Sequence, residues 1–170
     1  MSFRGSYLAN INLRHTAADA ADSAVFAMHN PAASGVLLKI RRVNLALAFD
    51  GTAAADTTVG HYLIRFTVAN PSTGTTVPRI KRNAAYAASI VADANIQQKS
   101  GILTMTSVSY ESAPFYVARL PIAVTNGVRT IDLVDPIELR PDEGLAIRTA
   151  VAAVVGTSLH GAIAWDEKTL

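Results

Sequence analysis

The sequence predicts an all-β fold, a two-sheet antiparallel sandwich of jelly-roll type with eight or nine strands. Three observations predict it: apolar residues recur at every second position in several segments, turns rich in Gly, Pro and Asn separate these segments, and helical periodicity is almost absent. Eight strands folded as two Greek keys make a jelly roll, and an immunoglobulin-like sandwich is the alternative. The chain contains no Cys, so the cysteine pair that marks antibody domains is missing.

Length and composition indicate how many domains to expect and what kind of surface the protein has. A domain of 170 residues can bury one core, since about 70% of its unfolded surface is hidden on folding. Residues 21–170 are therefore predicted to form a single β-sandwich domain. Residues 1–20 show a weak pattern and are predicted to form an extended N-terminal arm that a neighbouring chain would order. Charged residues make up 16% of the sequence, which favours a surface that docks against a partner.

The longest apolar segment, VLLKIRRVNLALAF at residues 36–49, changes its phase midway. Val36, Leu38 and Ile40 share one parity, whereas Val43, Leu45, Leu47 and Phe49 share the other. Because a strand cannot exchange its faces without an extra residue, we predict a bulge or a sharp bend at Arg41–Arg42.

Other segments alternate without interruption. YLIRFTV places Tyr62, Ile64, Phe66 and Val68 on one face of a half-buried strand. GVRTIDLV and LHGAIAW alternate in the same way, and LRPDEGLAIRT joins two strands through a Pro-Asp-Glu-Gly turn. Together with SAVFAMHN, ILTMTSVSY and FYVARLPI, these segments supply the predicted strands.

Residues 70–99 are less regular. Pro78 cannot donate a ladder hydrogen bond, which predicts an edge strand or a strand start after it. The Ala-rich segment 84–99, AAYAASIVADANIQQK, is the one helical candidate, with Tyr86 and Ile90 four positions apart. An extended loop is the alternative, so at most one short helix is expected there.

Titratable residues show no spacing typical of a site. The histidines are His15, His29, His61 and His160. No two of them have a spacing that would let one strand or helix supply two ligands to a metal ion. We expect these histidines to be solvent-exposed or in loops. The acidic pairs Asp142–Glu143 and Asp166–Glu167 are sequence neighbours, which is typical of solvated turns rather than of a glycosidase dyad.

Catalytic motifs are absent from the sequence. It contains no nucleophile elbow, no phosphate-binding glycine loop and no dinucleotide fingerprint. Ser158 and His160 would share a face of a strand without converging, and nothing identifies an acid that would orient the histidine. The sequence therefore predicts no catalytic residue, no metal site, no cofactor and no enzymatic activity. A hydrolase with carboxylates that converge from distant positions is an alternative.

Charge and hydropathy bound the location and the partners. The 15 Lys and Arg residues exceed the 13 Asp and Glu residues only narrowly, which does not favour nucleic acid as a partner. The first residues lack the apolar run of a signal peptide, and no segment reaches the roughly 18 continuous apolar residues of a membrane span. Synthesis in a cytoplasm, with neither a membrane nor nucleic acid as partner, is expected.

Two stretches, NPAASGVLLKIRR at residues 30–42 and NPSTGTTVPRIKR at residues 70–82, both begin with Asn-Pro and end with a pair of cations. They are interpreted as the same type of turn used at two corners of the sandwich, and not as a duplicated module. The cations are either solvated strand residues or part of an interface. The interface candidates are Arg41, Arg42, Lys81 and Arg82, together with Tyr7 and Leu8 in the N-terminal arm.

FAMHNPAASGVLLKIRRV, residues 26–43, resembles a segment common in small virion proteins of tailed bacteriophages. PIELRPDEGLAIRT and the terminal GAIAWDE are similar to later parts of the same proteins. The family that they resemble is that of the jelly-roll capsid decoration, or cement, proteins. The resemblance implies a non-enzymatic virion structural protein on the capsid exterior. Its implied partners are the major capsid protein and copies of itself, as a dimer or trimer, and it would stabilise the head across subunit seams.

Two further functions fit the same fold class. One is a phage tail or fibre component, and the other is a carbohydrate-binding β-sandwich module. A sugar-binding module requires an exposed aromatic platform, for which one Trp and five Tyr residues provide little material.

Overall fold

The computed structural model describes residues 2–15, 19–49, 58–67, 70–100, 103–121, 127–152 and 155–170. These residues form fourteen strands and a 3₁₀ helix at Asp93–Asn95. The strands are β1 (Phe3–Arg14), β2 (Ala24–His29), β3 (Val36–Phe49), β4 (Thr58–Thr67), β5 (Pro71–Ser72), β6 (Thr75–Thr76), β7 (Arg79–Lys81), β8 (Ile96–Gln98), β9 (Thr104–Met105), β10 (Ser109–Tyr110), β11 (Tyr116–Pro121), β12 (Gly127–Leu139), β13 (Glu143–Thr149) and β14 (Thr157–Thr169).

The eight longest described strands pair in a nested order. β1 pairs with β14, β2 with β13, β3 with β12 and β4 with β11, all antiparallel. The first sheet has the order β12-β3-β14-β1-β7, and the second has the order β10-β4-β13-β2-β8-β6, with β11 also paired to β4. Pairing of the first long strand with the last, and so on inward, over two sheets is jelly-roll connectivity. The predicted all-β sandwich is confirmed.

The main core lies between the two sheets. Trp165 of β14 and Ile40 of β3 come from the first sheet, and Leu145 and Ile147 of β13 come from the second. All four are at most 1% exposed. The alternation that predicted the strands therefore also selects the residues of this core.

The N-terminal segment is an interior strand of the first sheet. β1 lies between β14 and β7, and its register with β14 runs from Phe3 opposite Lys168 to Arg14 opposite Ser158. Its inward-facing side chains belong to the main core and are at most 4% exposed. The expectation of an extended arm over residues 1–20 is therefore wrong for β1, and the sandwich begins at residue 3 instead of residue 21. Residues 16–18 lie outside the described residues.

β3 carries the predicted bulge. On β14, Ala164 lies opposite Arg42 and Trp165 lies opposite Ile40, so Arg41 is an extra residue in the pairing. The pairing of β3 with β12 is also irregular at this point. Leu38 and Ile40 before the bulge and Val43 and Leu45 after it face the same core, because the extra residue restores their phase.

Residues 71–100 and 103–110 belong to an insertion between β4 and β11 that extends both sheets. β7 begins directly after Pro78 and is an edge strand of the first sheet, as predicted, while β8 and β6 extend the second. The helical candidate at residues 84–99 contains no α-helix. Residues 84–92 are turns, bends and irregular backbone, and the 3₁₀ helix and β8 follow them.

The insertion also covers part of the second sheet. Tyr62, Ile64 and Phe66 of β4 share a face, as predicted, but this face points away from the main core. The three side chains pack with Leu103 in a second, smaller cluster, whereas Leu63 joins the main core. β4 is thus buried on both faces. Val68 lies outside the described residues.

The two acidic pairs have different environments. Asp142 lies in the turn before β13, as predicted, with a φ of 73°, and Glu143 is the first residue of β13. Asp166 and Glu167 instead lie within β14 and are 4% and 0% exposed. The expectation of a solvated turn is therefore wrong for the second pair, because hydrogen bonds from distant segments replace water around both carboxylates.

Glu167 fastens residues 84–92 to the main core. Its carboxylate accepts hydrogen bonds from the Ser89 hydroxyl, from the Ile90 amide at 3.0 Å and from the Trp165 indole nitrogen at 3.4 Å. These contacts explain why an Ala-rich segment does not form a helix here. The tertiary contacts outweigh an intrinsic preference of a few tenths of a kcal/mol per residue.

We expect Glu167→Ala to destabilise the fold and to release residues 84–92. Each buried donor left without an acceptor costs about 1–3 kcal/mol. Limited proteolysis should cut within residues 84–92 faster than in the wild type, and urea unfolding should have a lower midpoint. Glu138→Ala is the control, because it removes an exposed carboxylate that pairs with Lys39. Equal cleavage rates in both variants would contradict the role of Glu167.

Candidate functional site

A groove on the outer face of the first sheet contains four of the six candidate interface residues. Its volume is about 470 Å³. Leu8, Arg41, Arg42 and Arg82 line it. Lys81 lies nearby at the edge strand β7, where its Nζ donates a hydrogen bond to the Tyr86 carbonyl at 3.0 Å. The structure thus brings together cations from the two stretches that share an Asn-Pro start.

Tyr7 does not belong to this surface. Its side chain is fully buried, its ring centroid lies 5.8 Å from that of Trp165, and its hydroxyl donates to the Ala87 carbonyl at 2.8 Å. Tyr7 as an interface residue is therefore wrong, because alternation along β1 turns it inward and Leu8 outward.

Short side chains form the floor of the groove. Ala162 and Ala164 of β14 both line it, and Ala164 lies opposite Leu8 on one side and Arg42 on the other. Because an alanine side chain ends at Cβ, the strip between β1 and β3 is lower than its flanks. The floor is apolar and the rim is basic.

The bulge in β3 determines the shape of the basic rim. Consecutive strand residues normally point to opposite faces, yet Arg41 and Arg42 both line the groove. The extra residue of the bulge makes this possible. Arg82 reaches the opposite rim from the turn after β7, which is fixed to β1 because the Arg82 amide donates to the Ser6 carbonyl at 3.0 Å.

Three arginines line the groove, and the buried Asp166 carboxylate pairs with one of them. Arg41 forms an ion pair with Asp166, which also accepts a hydrogen bond from the Ser6 hydroxyl at 2.5 Å. The Oδ1 atom of Asn44, another lining residue, is buried and accepts no hydrogen bond from any described residue. Three arginines around one groove suit an acidic partner surface.

Three of the four histidines are buried, which the sequence did not predict. His15, His29 and His61 are at most 3% exposed, and His160 is exposed. The expectation of solvent exposure is therefore wrong for the first three. It failed because their neighbours in space come from other strands: His61, for example, lies opposite Thr149 of β13.

His15 and His61 belong to a buried polar cluster with Asp19 and Lys99. The ring centroids of the two histidines are 5.6 Å apart. His15 Nδ1 lies 2.5 Å from Asp19 Oδ2, and Lys99 Nζ contacts the other oxygen of that carboxylate. Both ring nitrogens of His61 and Nε2 of His15 are buried and have no hydrogen-bond partner among the residues that the structure describes.

Burial governs the protonation of this cluster. It lowers the pKa of His61 to about 3, and the charge on His15 acts in the same direction. Burial also lowers the pKa of His15, against the opposing hydrogen bond to Asp19. Burial alone would raise the pKa of Asp19, but the hydrogen bonds and charges of Lys99 and His15 hold it below its usual value. The two imidazoles are therefore neutral near pH 7.

The described residues contain few arrangements suited to chemistry. Among them, no group of three or more His, Cys, Asp or Glu side chains is placed to hold a metal ion. The described helical residues provide no segment that is long and apolar enough to cross a membrane. His160 is exposed on β14, and it lies two residues from Ser158 along an extended strand.

Sequence reasoning found the cations of the groove but missed its floor. A signal for the floor was present in GAIAW, where Ile163 and Trp165 alternate with the two alanines. Because the apolar pair was predicted to face inward, the alanines had to face outward. No comparable signal identified Asn44, whose position depends on its pairing opposite Ala162.

The chain was also compared with known proteins. No protein-family model, no curated protein and no solved structure matches it.

Proposed function

We propose that this protein is a non-enzymatic structural component of a tailed-phage virion, a decoration protein that binds the major capsid protein on the capsid exterior and stabilises the head. The observation that carries the proposal is the groove with three arginines on its rim and two alanines on its floor. The similarity of residues 26–43 to small virion proteins supports it. These residues run from β2 through the following turn into β3 and past its bulge.

The groove would bind acidic side chains at a seam between capsid subunits. A compact sandwich that presents one basic depression forms only a small interface, and such an interface is weak by itself. Copies of this protein that associate as a dimer or trimer would engage several capsid subunits at once, and multivalent binding then increases the total affinity without any new contact. The proposal involves neither nucleic acid nor a membrane.

Charge reversal in the groove tests the docking surface. We expect Arg42→Glu and Arg82→Glu each to lower the number of copies bound per capsid, by at least about tenfold below saturation, because like charges repel across the interface. Arg140→Glu makes the same change in charge at an exposed position that does not line the groove. Sedimentation of the variants with purified capsids measures occupancy. Equal occupancy for all three variants would contradict docking through the groove.

The number of copies per particle separates the decoration role from a tail role. A decoration protein should copurify with capsids at hundreds of copies, as a repeated seam contact requires. A handful of copies would instead place the protein in the tail or in a fibre. Quantitative mass spectrometry of purified virions provides this number.

A further inference from the structure

A second pocket lies on the outer face of the second sheet, on the opposite side of the sandwich from the arginine groove. Its volume is about 370 Å³, within the roughly 300–1,000 Å³ of small-molecule sites. The polar side chains around it are those of Asp22, Tyr62, Tyr110, Glu111, Ser112 and Arg148. They come from the segment before β2, from β4, β10 and β13, and from the turn after β10.

Arg148 is held in one position at this pocket. Its Cζ lies 4.2 Å from the centroid of the Tyr110 ring and 5.6 Å from that of Tyr62. Its Nε donates to the Asp22 carbonyl at 2.7 Å. Two aromatic rings and one backbone acceptor thus orient the guanidinium before any ligand arrives, which reduces the entropic cost of binding.

Asp22 is also held in one position at this pocket. Its amide donates to the Thr149 carbonyl at 2.8 Å, and its φ of 64° turns the chain at this point. Its Oδ1 accepts a hydrogen bond from the Tyr62 hydroxyl at 2.6 Å. Burial and this hydrogen bond raise the pKa of Tyr62 to about 12, so its hydroxyl stays protonated and keeps the carboxylate in place.

Polar atoms around the pocket retain unused hydrogen-bonding capacity. The terminal nitrogens of Arg148, the second oxygen of Asp22 and the Ser112 hydroxyl make no hydrogen bond to any described residue. Glu111 uses one oxygen for Arg65 Nη1 at 2.7 Å and has another. Donors and acceptors are therefore both present around one cavity.

The charged side chains at the pocket have partners of opposite charge nearby. Asp22, Glu111 and Arg148 line the pocket, and Arg65, which pairs with Glu111 but does not line the pocket, supplies the second positive charge. A charged ligand would have to compete with these internal partners, whereas a neutral ligand with several hydroxyls would use the remaining capacity on both sides. Tyr110, Ile64 and Pro114 also line the pocket and offer apolar surface to the C–H face of such a ligand.

The geometry points to a binding site for a neutral saccharide in this pocket. The hydroxyls of the sugar donate to Asp22 and Glu111 and accept from Arg148 and Ser112. This activity is separate from capsid docking, because the two sites lie on opposite sheets. The protein would then present a glycan-binding site to solvent while the groove faces the shell.

A screen of neutral and acidic glycans, followed by calorimetric titration of the best neutral saccharide, tests the assignment. We expect binding of a neutral saccharide with a Kd in the range of about 0.1–10 mM. Arg148→Met keeps the length of the side chain but removes its donors, and it should weaken binding by at least about tenfold. Ser112→Ala, at an exposed position, should weaken it by roughly three- to tenfold, the loss of one hydrogen bond.

Two controls separate this site from a loss of folding and from the proposed capsid function. Thermal unfolding of Ser112→Ala should match the wild type, and capsid occupancy should be unchanged in both variants. Binding of acidic glycans alone would overturn the charge argument. Absence of binding at about 10 mM saccharide, or equal binding by wild type and both variants, would overturn the site itself.

Discussion

Deletion of residues 1–15 is expected to leave a chain that does not fold. The deletion removes β1, an interior strand of the first sheet, and leaves β14 and β7 without their shared neighbour. Tyr7, Ile11 and Leu13 are buried in the main core, and burial of such side chains contributes about 1.5–3 kcal/mol each. Their combined loss is comparable to the roughly 5–15 kcal/mol that separates folded from unfolded domains.

Circular dichroism and urea unfolding of residues 16–170 measure this effect. We expect no cooperative transition. A synthetic peptide of residues 2–15 should restore the transition when added, because β1 pairs along most of its length with β14. Removal of Met1 and Ser2 alone is the control, since both residues precede β1. A cooperative transition of the 16–170 fragment near that of the full chain would contradict the role of β1.

The same result changes how the capsid proposal can be tested. If residues 1–20 formed an arm, their deletion would leave a folded domain with weaker binding. Because β1 is part of the sandwich, such a deletion would abolish binding through unfolding and would say nothing about docking. Charge reversals at exposed groove arginines avoid this problem.

The alternation of apolar and polar residues predicted the fold because it indicates strands with one buried face. An antiparallel sandwich buries one face of each sheet in this way. The phase change in residues 36–49 predicted the bulge at Arg41 for the same reason. Both inferences are local, and each needs only the rule that side chains alternate along a strand.

The N-terminal strand could not be identified by that rule. Ala9 lies at an inward position and Leu8 at an outward one, so the apolar alternation of β1 is blurred. Its partners are β14, at the other end of the chain, and β7, in the insertion. The burial of β1 is therefore a consequence of non-local pairing.

The candidate sites also divide into one that local sequence patterns predicted and one that depends on non-local pairing. The basic rim of the groove was found because its arginines lie in two similar stretches, whereas the pocket around Arg148 joins four separate parts of the chain. Residues from distant segments converge only after the strands pair, and one sequence without its fold does not reveal that convergence.

Acidification is expected to destabilise the fold through its buried histidines. The pKa of His61 is about 3 in the folded protein and about 6.5 in the unfolded chain. Between these values the unfolded state binds more protons, so stability is fully present above about pH 6.5 and falls as the pH falls. At pH 5 the loss from His61 is about 2 kcal/mol. The lowered pKa values of His15 and His29 act in the same direction.

Urea unfolding at about pH 7.5 and pH 5 measures this loss. His61→Leu should reduce the difference in unfolding free energy between the two pH values, because leucine does not titrate and the His61 ring makes no hydrogen bond to a described residue that leucine would lose. His160→Leu is the matched control, since it replaces an exposed histidine instead of a buried one. If both variants keep the full pH dependence of the wild type, the acid sensitivity does not originate at His61. A reduced dependence in His61→Leu alone would show that burial of a neutral imidazole couples folding to pH in this jelly roll.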